Sequence, residues 1–125
     1  MIFDTDIFIW VQRGNVKAAT RIDTAPGRYL SIQSYMELLQ GAINKQQHRY
    51  IKDFLLAFDF MVLPFTENIG HRAAVYVEEY SMSSGLRAGD AIIAATAVEN
   101  NFPLLTSNTR HFRQIKELVL KRFQP

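Results

Sequence analysis

The sequence contains no cysteine, which excludes disulfide bonds and any metal site built on thiolates. The lack of cysteine is compatible with a reducing compartment, and we expect a cytoplasmic protein. Its apolar runs fall well short of the roughly 20 residues that a membrane span needs, and no basic leader is present, so no membrane association is expected. Internal repeats, low-complexity tracts and linkers are also lacking. We therefore expect a single domain over residues 1–125.

What is present is an ordinary globular composition, with 48% apolar and 21% charged residues among 125. A chain of this length can bury one sizeable core but not two. The formal net charge is +2, a mild basic bias. This bias permits a nucleic-acid partner without requiring one.

Short apolar stretches alternate with stretches of helical periodicity along the whole chain. Strands are predicted at 2–3, 29–32, 60–65, 103–107 and 118–120, and helices at 8–19, 34–41, 44–58, 66–80 and 89–98. A break is expected near Gly14, a loop over 81–85 and a turn over 108–112. Strands that alternate with helices predict an α/β fold with a mainly parallel central sheet.

Three carboxylates stand where predicted strands end or predicted helices begin, namely Asp4, Glu37 and Asp90. Each has an ordinary structural explanation. Asp4 could form an Asx turn, and Asp90 could be a helix N-cap. Glu37 could be the third helical residue of a capping box that begins at Ser34. Taken singly, none of the three acids indicates a functional site.

Taken together, the acids acquire a second meaning, because the strand-to-helix junctions of a parallel sheet all lie along one edge. Carboxylates that converge there repel one another unless a cation lies among them. Hard oxygen ligands favour Mg²⁺ or Mn²⁺. Such cations activate water and neutralise phosphate charge, which is the chemistry of metal-dependent nucleases. The residues alone thus predict a plausible metal site and leave its reaction open.

Four motifs follow one another in an order that carries a family resemblance. They are Ile2-Phe3-Asp4-Thr5-Asp6, Ser34-x-x-Glu37-Leu38-x-x-Gly41, Gly89-Asp90-Ala91-Ile92-Ile93-Ala94-Ala95 and Leu105-Thr106-Ser107-Asn108-x-x-His111-Phe112. With them the chain resembles the PIN-domain family, most closely the VapC-type ribonuclease toxins of bacterial and archaeal toxin–antitoxin pairs. The resemblance covers essentially the whole chain.

The resemblance implies a three-layer α/β/α sandwich and a metal-dependent endoribonuclease that hydrolyses RNA phosphodiester bonds. Asp4, Glu37 and Asp90 would be the catalytic acids and the ligands of Mg²⁺ or Mn²⁺. Thr106 and Asn108 occupy the rim of this pocket, where many members of the family carry a fourth acid. The amide of Asn108 departs from that pattern and argues against a second tightly held metal.

Other residues extend the expected site. Asp6 could serve in an outer shell through water, or its role could be purely structural. Basic residues near the acids could hold RNA phosphates, or form ordinary solvated surface. The candidates are Arg13, Arg87 and Arg110, with Lys17 and Arg113 nearby. The histidines lack metal-ligand spacing: His48 and His71 are expected at the surface, and His111 is expected to pack beside Phe112.

Fifteen aromatic residues in 125 are generous for one small core. Aromatic residues near Phe58 and Phe60 are therefore expected to be exposed and could line an interface. The resemblance implies a homodimer and an antitoxin protein that blocks the acidic pocket.

Three alternatives remain open. A housekeeping RNA-processing nuclease would share the same residues. A PIN-like module that binds RNA or protein without cutting is favoured by Asn108 and opposed by the intact acids. In a haloacid-dehalogenase-like phosphatase, Asp4 would be the nucleophile and Asp6 the acid/base. That family usually has Gly or Val and then Thr where Ile7 and Phe8 stand, and no suitable downstream lysine is present.

Overall fold

The computed structural model describes residues 1–125 as five strands and seven helices. The strands are β1 (Ile2–Phe3), β2 (Tyr29–Ser31), β3 (Met61–Leu63), β4 (Leu104–Thr106) and β5 (Leu120–Arg122). The helices are α1 (Thr5–Gln12), α2 (Val16–Thr24), α3 (Ile32–Gln40), α4 (Lys45–Ala57), α5 (Glu67–Ser84), α6 (Ala88–Glu99) and α7 (Thr109–Phe112). No helix combines the length and apolar character that crossing a membrane requires.

The five strands form one sheet in the order β3-β2-β1-β4-β5, and every pair is parallel. The central strand β1 pairs with β2 through Ile2 and Tyr29 and with β4 through Phe3 and Leu105. Residues at the carboxyl ends of β1 and β4 are therefore neighbours at one edge of the sheet. This confirms the predicted α/β fold with its parallel sheet.

Two apolar cores lie on opposite faces of the sheet because neighbouring strand residues point to opposite sides. Ile2 and Leu104 pack with α5 and α6 on one face. Phe3 and Leu105 pack with α1, α2, α3 and α4 on the other. Consecutive pairs of fully buried residues in β1 and β4 thus produce the three-layer sandwich.

Several predicted boundaries were wrong. The helix expected at 8–19 is two helices, α1 and α2, with Asn15 capping the second through a bond from the Ala18 amide. The loop expected over 81–85 continues α5 to Ser84, and the helix ends at Gly85, whose φ of 74° is a left-handed value that glycine adopts without strain. The turn over 108–112 contains the short helix α7, and the last strand lies two residues later than expected.

Although nearby Phe65 is exposed, the expectation of exposed aromatic residues was wrong for Phe58 and Phe60 themselves. Both rings are half-buried and pack against the core that contains Phe3 and Phe8. Phe60 lies 5.6 Å from Phe3 and 5.1 Å from Phe8 between ring centroids. These two aromatic residues therefore contribute to the apolar core of the fold.

Candidate active site

Asp4 lies between the end of β1 and the start of α1, where it is the N-cap of the helix. One carboxylate oxygen accepts a hydrogen bond from the Thr5 amide at 2.8 Å, and the other accepts one from the Thr106 hydroxyl at 2.7 Å. Only 6% of Asp4 is exposed. A capping role is therefore real, but it does not explain a carboxylate buried this deeply, since surface caps bond equally well.

Burial raises the pKa of Asp4 to about 7, and the neighbouring charge of Asp6 acts in the same direction. The bonds from Thr106 and Thr5 oppose this change, and the charge of Asp90 adds to it. Because the charges of Asp6 and Asp90 both act on Asp4, the three carboxylates share one electrostatic environment. A site that disfavours its own negative charge in this way is suited to a cation.

Asp6 lies beside Asp4 and faces the residue after β4. Its Oδ2 atom accepts bonds from the amide of Ser107 at 3.0 Å and from the Ser107 hydroxyl. Its Oδ1 atom is buried and has no hydrogen-bond partner in the protein. Burial also raises the pKa of Asp6. A buried carboxylate oxygen without a partner is costly, and a cation or a water held by one would relieve that cost.

Glu37 projects from α3 toward the same edge of the sheet. It accepts bonds from the Thr5 hydroxyl at 2.6 Å and from the Gln33 side-chain amide at 2.9 Å. The capping-box explanation for Glu37 was wrong, because α3 begins at Ile32 and its N-cap is Ser31. Glu37 therefore caps no helix, and it is hydrogen-bonded instead to Thr5, the residue that follows Asp4.

The first turn of α6 packs directly on Glu37. A Cβ atom at Gly89 would lie 2.9 Å from Glu37 Oε2 and 3.1 Å from Gln33 Nε2. Glycine therefore permits this close approach between α3 and α6. The next residue is Asp90, so Gly89 brings the turn of α6 that carries Asp90 next to the turn of α3 that carries Glu37.

Asp90 is the third residue of α6, and the N-cap is Arg87 rather than Asp90. The Arg87 amide lies 3.5 Å from Asp90 Oδ2, a long contact that holds the carboxylate weakly. The same oxygen lies 3.1 Å from His111 Nδ1. Asp90 is therefore held mainly by a residue of α7.

His111 belongs to this site, although it was predicted only to pack beside Phe112. Its Nδ1 atom also lies 3.2 Å from the side-chain nitrogen of Asn108. One ring nitrogen cannot donate to Asp90 and accept from Asn108 together. With the proton on Nδ1, the ring donates to Asp90 and Asn108 turns its amide oxygen toward it. The orientation of Asn108 and the tautomer of His111 are thus linked.

The remaining candidates divide into two groups. Thr106 is fully buried at the centre of the site rather than at its rim. Its hydroxyl oxygen accepts a hydrogen bond from the Asn108 backbone amide at 3.0 Å. The side chains of the candidate arginines make no hydrogen bond to these acids. Arg13 lies over the Trp10 ring at 5.6 Å. Arg87 and Arg110 are exposed.

The acids suit a divalent cation by chemistry, since they are hard oxygen donors, partly buried and mutually repulsive. The unpartnered oxygen of Asp6 supports the same fit. No group of three or more His, Cys, Asp or Glu side chains is positioned to hold a metal directly. Mg²⁺ usually keeps several of its waters, so a cation here would be bound by few carboxylates and through water.

Comparison with known proteins decides the family. The model of the PIN domain matches residues 1–118. The chain belongs to the PIN domain family. A protein named Ribonuclease VapC from Rickettsia bellii is 32% identical, with 94% of this chain and 92% of that protein covered. Ribonuclease VapC1 from Methanocaldococcus jannaschii is 26% identical, with 81% of this PIN-domain chain and 74% of the relative covered.

Solved structures agree with this family. A toxin–antitoxin complex from Klebsiella pneumoniae contains a chain that is 29% identical, with a TM-score of 0.78 and 94% of each chain covered. A DNA-bound VapBC structure from Salmonella typhimurium has a TM-score of 0.80 at 16% identity, with 97% of this chain and 96% of that chain covered. At that identity the second likeness supports the PIN fold alone.

Proposed function

We propose that this PIN-domain protein is a metal-dependent endoribonuclease that hydrolyses RNA phosphodiester bonds and acts as the toxin of a toxin–antitoxin pair. The observation that carries the proposal is the gathering of one buried acid, Asp4, with two partly buried acids, Asp6 and Asp90, beside the carboxyl ends of β1 and β4. Asp4 has a pKa raised to about 7 there, and Asp6 has a buried oxygen without a partner. The names of relatives, Ribonuclease VapC among them, support the same reaction.

Asp4, Glu37 and Asp90 are the proposed catalytic acids, and they would hold Mg²⁺ or Mn²⁺ in part through water, since the three are not positioned to bind it directly together. A bound cation of this kind supplies an activated water and neutralises the charge of the scissile phosphate. The amide at position 108 favours one tightly held cation over two. Asp6 fits a supporting role through water, because one of its oxygens is fully engaged by Ser107.

The hydroxyl groups around the acids have a defined task in this proposal. Thr106 donates to Asp4, and Thr5 donates to Glu37, so each carboxylate keeps a fixed orientation. The Thr5 hydroxyl has a single proton and donates it in the hydrogen bond to Glu37. In the contact of 2.9 Å between Thr5 Oγ1 and Ser34 Oγ, Ser34 is therefore the donor. These bonds orient the acids before RNA arrives, which avoids reorganisation during the reaction.

RNA binding is assigned to basic residues around the pocket, Arg13, Arg87 and Arg110 in particular. Guanidinium groups match phosphate oxygens in pairs and position the strand without reading its sequence. We further propose that residues 1–125 form a single domain, that it forms a homodimer and that it functions in the cytoplasm on cellular RNA. The complex from Klebsiella pneumoniae supports an antitoxin protein as the inhibiting partner.

The test is cleavage of a labelled RNA pool by wild-type protein, Asp4→Asn, Glu37→Gln and Asp90→Asn, with Mg²⁺, with Mn²⁺ and with EDTA. Each variant keeps the side-chain shape and removes one charge. We expect metal-dependent cutting by the wild type and its loss in all three variants. A folded wild type that binds RNA without cutting would favour the non-cleaving module instead.

A second experiment separates a toxin from an RNA-processing nuclease. Induced expression of the wild type should arrest growth, and expression of Asp90→Asn should not. Coexpression of a small DNA-binding protein encoded next to the gene should restore growth. Active cleavage without growth arrest would support the housekeeping alternative.

A further inference from the structure

A polar cavity lies beside the acidic pocket, between the last turn of α5 and helix α7. We call it the flank cavity. Its volume is about 320 Å³, and its lining residues are Met82, Ser83, Ser84, Gly85, Arg110, His111, Arg113 and Gln114. None of the eight is acidic. The left-handed backbone at Gly85 turns the chain here, and a Cβ atom at this position would lie 4.0 Å from His111 Nε2.

The two arginines of the flank cavity carry positive charges that the protein does not neutralise. The cations of the ion pairs in this structure are His71, Arg72 and His111, so neither Arg110 nor Arg113 is paired. Both are exposed. Two unpaired guanidinium groups at one cavity without acids attract an anion, and their planar shape matches a phosphate group.

His111 connects the flank cavity to the acidic pocket. Its ring lines the cavity, while its Nδ1 atom lies 3.1 Å from Asp90. The cavity therefore adjoins the acids with only one side chain between them. An anion bound here would lie next to the site of cleavage.

We propose that the flank cavity binds a backbone phosphate of the RNA strand next to the scissile phosphate, with Arg110 and Arg113 as its ligands and Ser83 at its wall. This inference rests on the proposed ribonuclease function and adds a defined position for the strand. The acids repel a polyanion, so the strand needs cations on the flank of the pocket to stay in place. The flank cavity supplies two of them.

The first experiment measures binding separately from cleavage. Every protein carries Asp4→Asn, which leaves the contact between Asp90 and His111 intact, and a labelled single-stranded RNA is titrated by fluorescence anisotropy at several salt concentrations. Arg110→Gln and Arg113→Gln should each weaken binding by roughly tenfold. The double variant should also reduce the slope of log affinity against log salt by about 0.7, the value for one phosphate contact on a single strand.

The matched control is Arg49→Gln, which removes the same charge from the exposed face of α4. It should change the affinity by less than about twofold, because an exposed charge away from the strand is screened by salt. Thermal unfolding of each protein checks that the fold is intact. Equal weakening by the control and by the cavity variants would overturn the proposal, since the effect would then be one of net charge.

A second pair of variants tests the cavity rather than the arginines. Ser83→Asp places a carboxylate at the wall, and Ser83→Asn is its uncharged counterpart of similar shape. The aspartate variant should bind RNA at least tenfold more weakly than the asparagine variant. Similar affinities for the two would overturn the assignment of this cavity to phosphate.

The outcomes distinguish this inference from the proposed function. Metal-dependent cleavage by the wild type, combined with unchanged RNA affinity in the arginine variants, would support the nuclease function and overturn the role of the flank cavity in RNA binding. RNA binding that depends on both arginines, in a protein that cuts no RNA, would support phosphate binding in the flank cavity and overturn the proposed nuclease function. Unchanged RNA affinity together with loss of a protein partner would assign the cavity to that partner and overturn the proposal.

Discussion

The substitution Asp4→Asn should stabilise the protein when no metal is present, and it should do so more at pH 8 than at pH 5. The folded pKa of Asp4 is about 7, against an ordinary value of 3.8. The folded state therefore retains a proton that the unfolded state releases, and stability is lost as the pH rises from 3.8 toward 7. Above pH 7 the loss stays constant.

The magnitude follows from the two pKa values. A difference of about three units corresponds to roughly 4 kcal/mol at pH 8, and at pH 5 the same group costs only about 2 kcal/mol. Asparagine should thus gain about 2 to 3 kcal/mol more at pH 8 than at pH 5. Its amide oxygen can accept from the Thr5 amide while its nitrogen donates to Thr106, so both contacts of the carboxylate can be kept.

The assay is urea unfolding in EDTA at both pH values, followed by circular dichroism, with the free energy of unfolding taken by linear extrapolation. Asp53→Asn is the matched control, because Asp53 is exposed on α4 and its replacement should leave stability nearly unchanged at both pH values. A stabilisation by Asp4→Asn that is equal at pH 5 and pH 8 would refute the reasoning, as would a loss of stability at both.

Three further predictions follow from individual contacts. Thr5→Val removes the hydrogen-bond donor to Glu37, so it should lower cleavage at least tenfold and cost about 1 kcal/mol of stability. Thr5→Ser keeps the donor and should retain both the cleavage rate and the stability. Initial rates of cleavage and urea unfolding measure the two effects. Gly89→Ala places a methyl group against Glu37 and should lower cleavage. The melting temperature should stay unchanged or rise, because alanine favours the helix and the Glu37 carboxylate can move. Undiminished cleavage by this variant would contradict the prediction. The bond from Tyr76 and, to a smaller degree, the bond from Arg72 lower the pKa of Glu117, and Arg72→Met removes the second of these. The contribution of a lowered carboxylate pKa is present above its ordinary value and is lost as the pH falls through the folded value. Acid unfolding should therefore separate the two proteins at pH 7 and bring them together near pH 3.

Most of the fold could be predicted because its signals are local. Apolar pairs such as Ile2-Phe3 predict buried strands, and their alternation with amphipathic helices predicts a parallel sheet. The errors were local as well. The serine at 31, three residues before Ser34, is the true cap of α3, and Gly85 is a typical helix end that predicts the full length of α5.

The site could be predicted only in part because its contacts join distant segments. Asp4 was identified by its position after a strand, whereas nothing in the spacing of Asp90 and His111 indicates that they meet. That contact depends on α7 folding back toward the first turn of α6. The catalytic roles of the acids and the phosphate contacts of the arginines stay predictions until cleavage and binding are measured.

The topology explains why acids from three segments gather at one place. The chain proceeds from β1 to β2 and β3 on one side, then returns to add β4 and β5 on the other, so its direction switches between β1 and β4. Ligand sites of open parallel sheets form at such a point, outside the carboxyl ends of the strands. A helix that precedes a strand begins at that same edge, so the first turn of α6 must lie there too. Asp90 stands in that turn, while Ala94, one turn later, is fully buried in the core. Moving the carboxylate by a single turn would therefore place it in an apolar core instead of the site, so the proposed role of Asp90 depends on its position in α6 as well as on its charge.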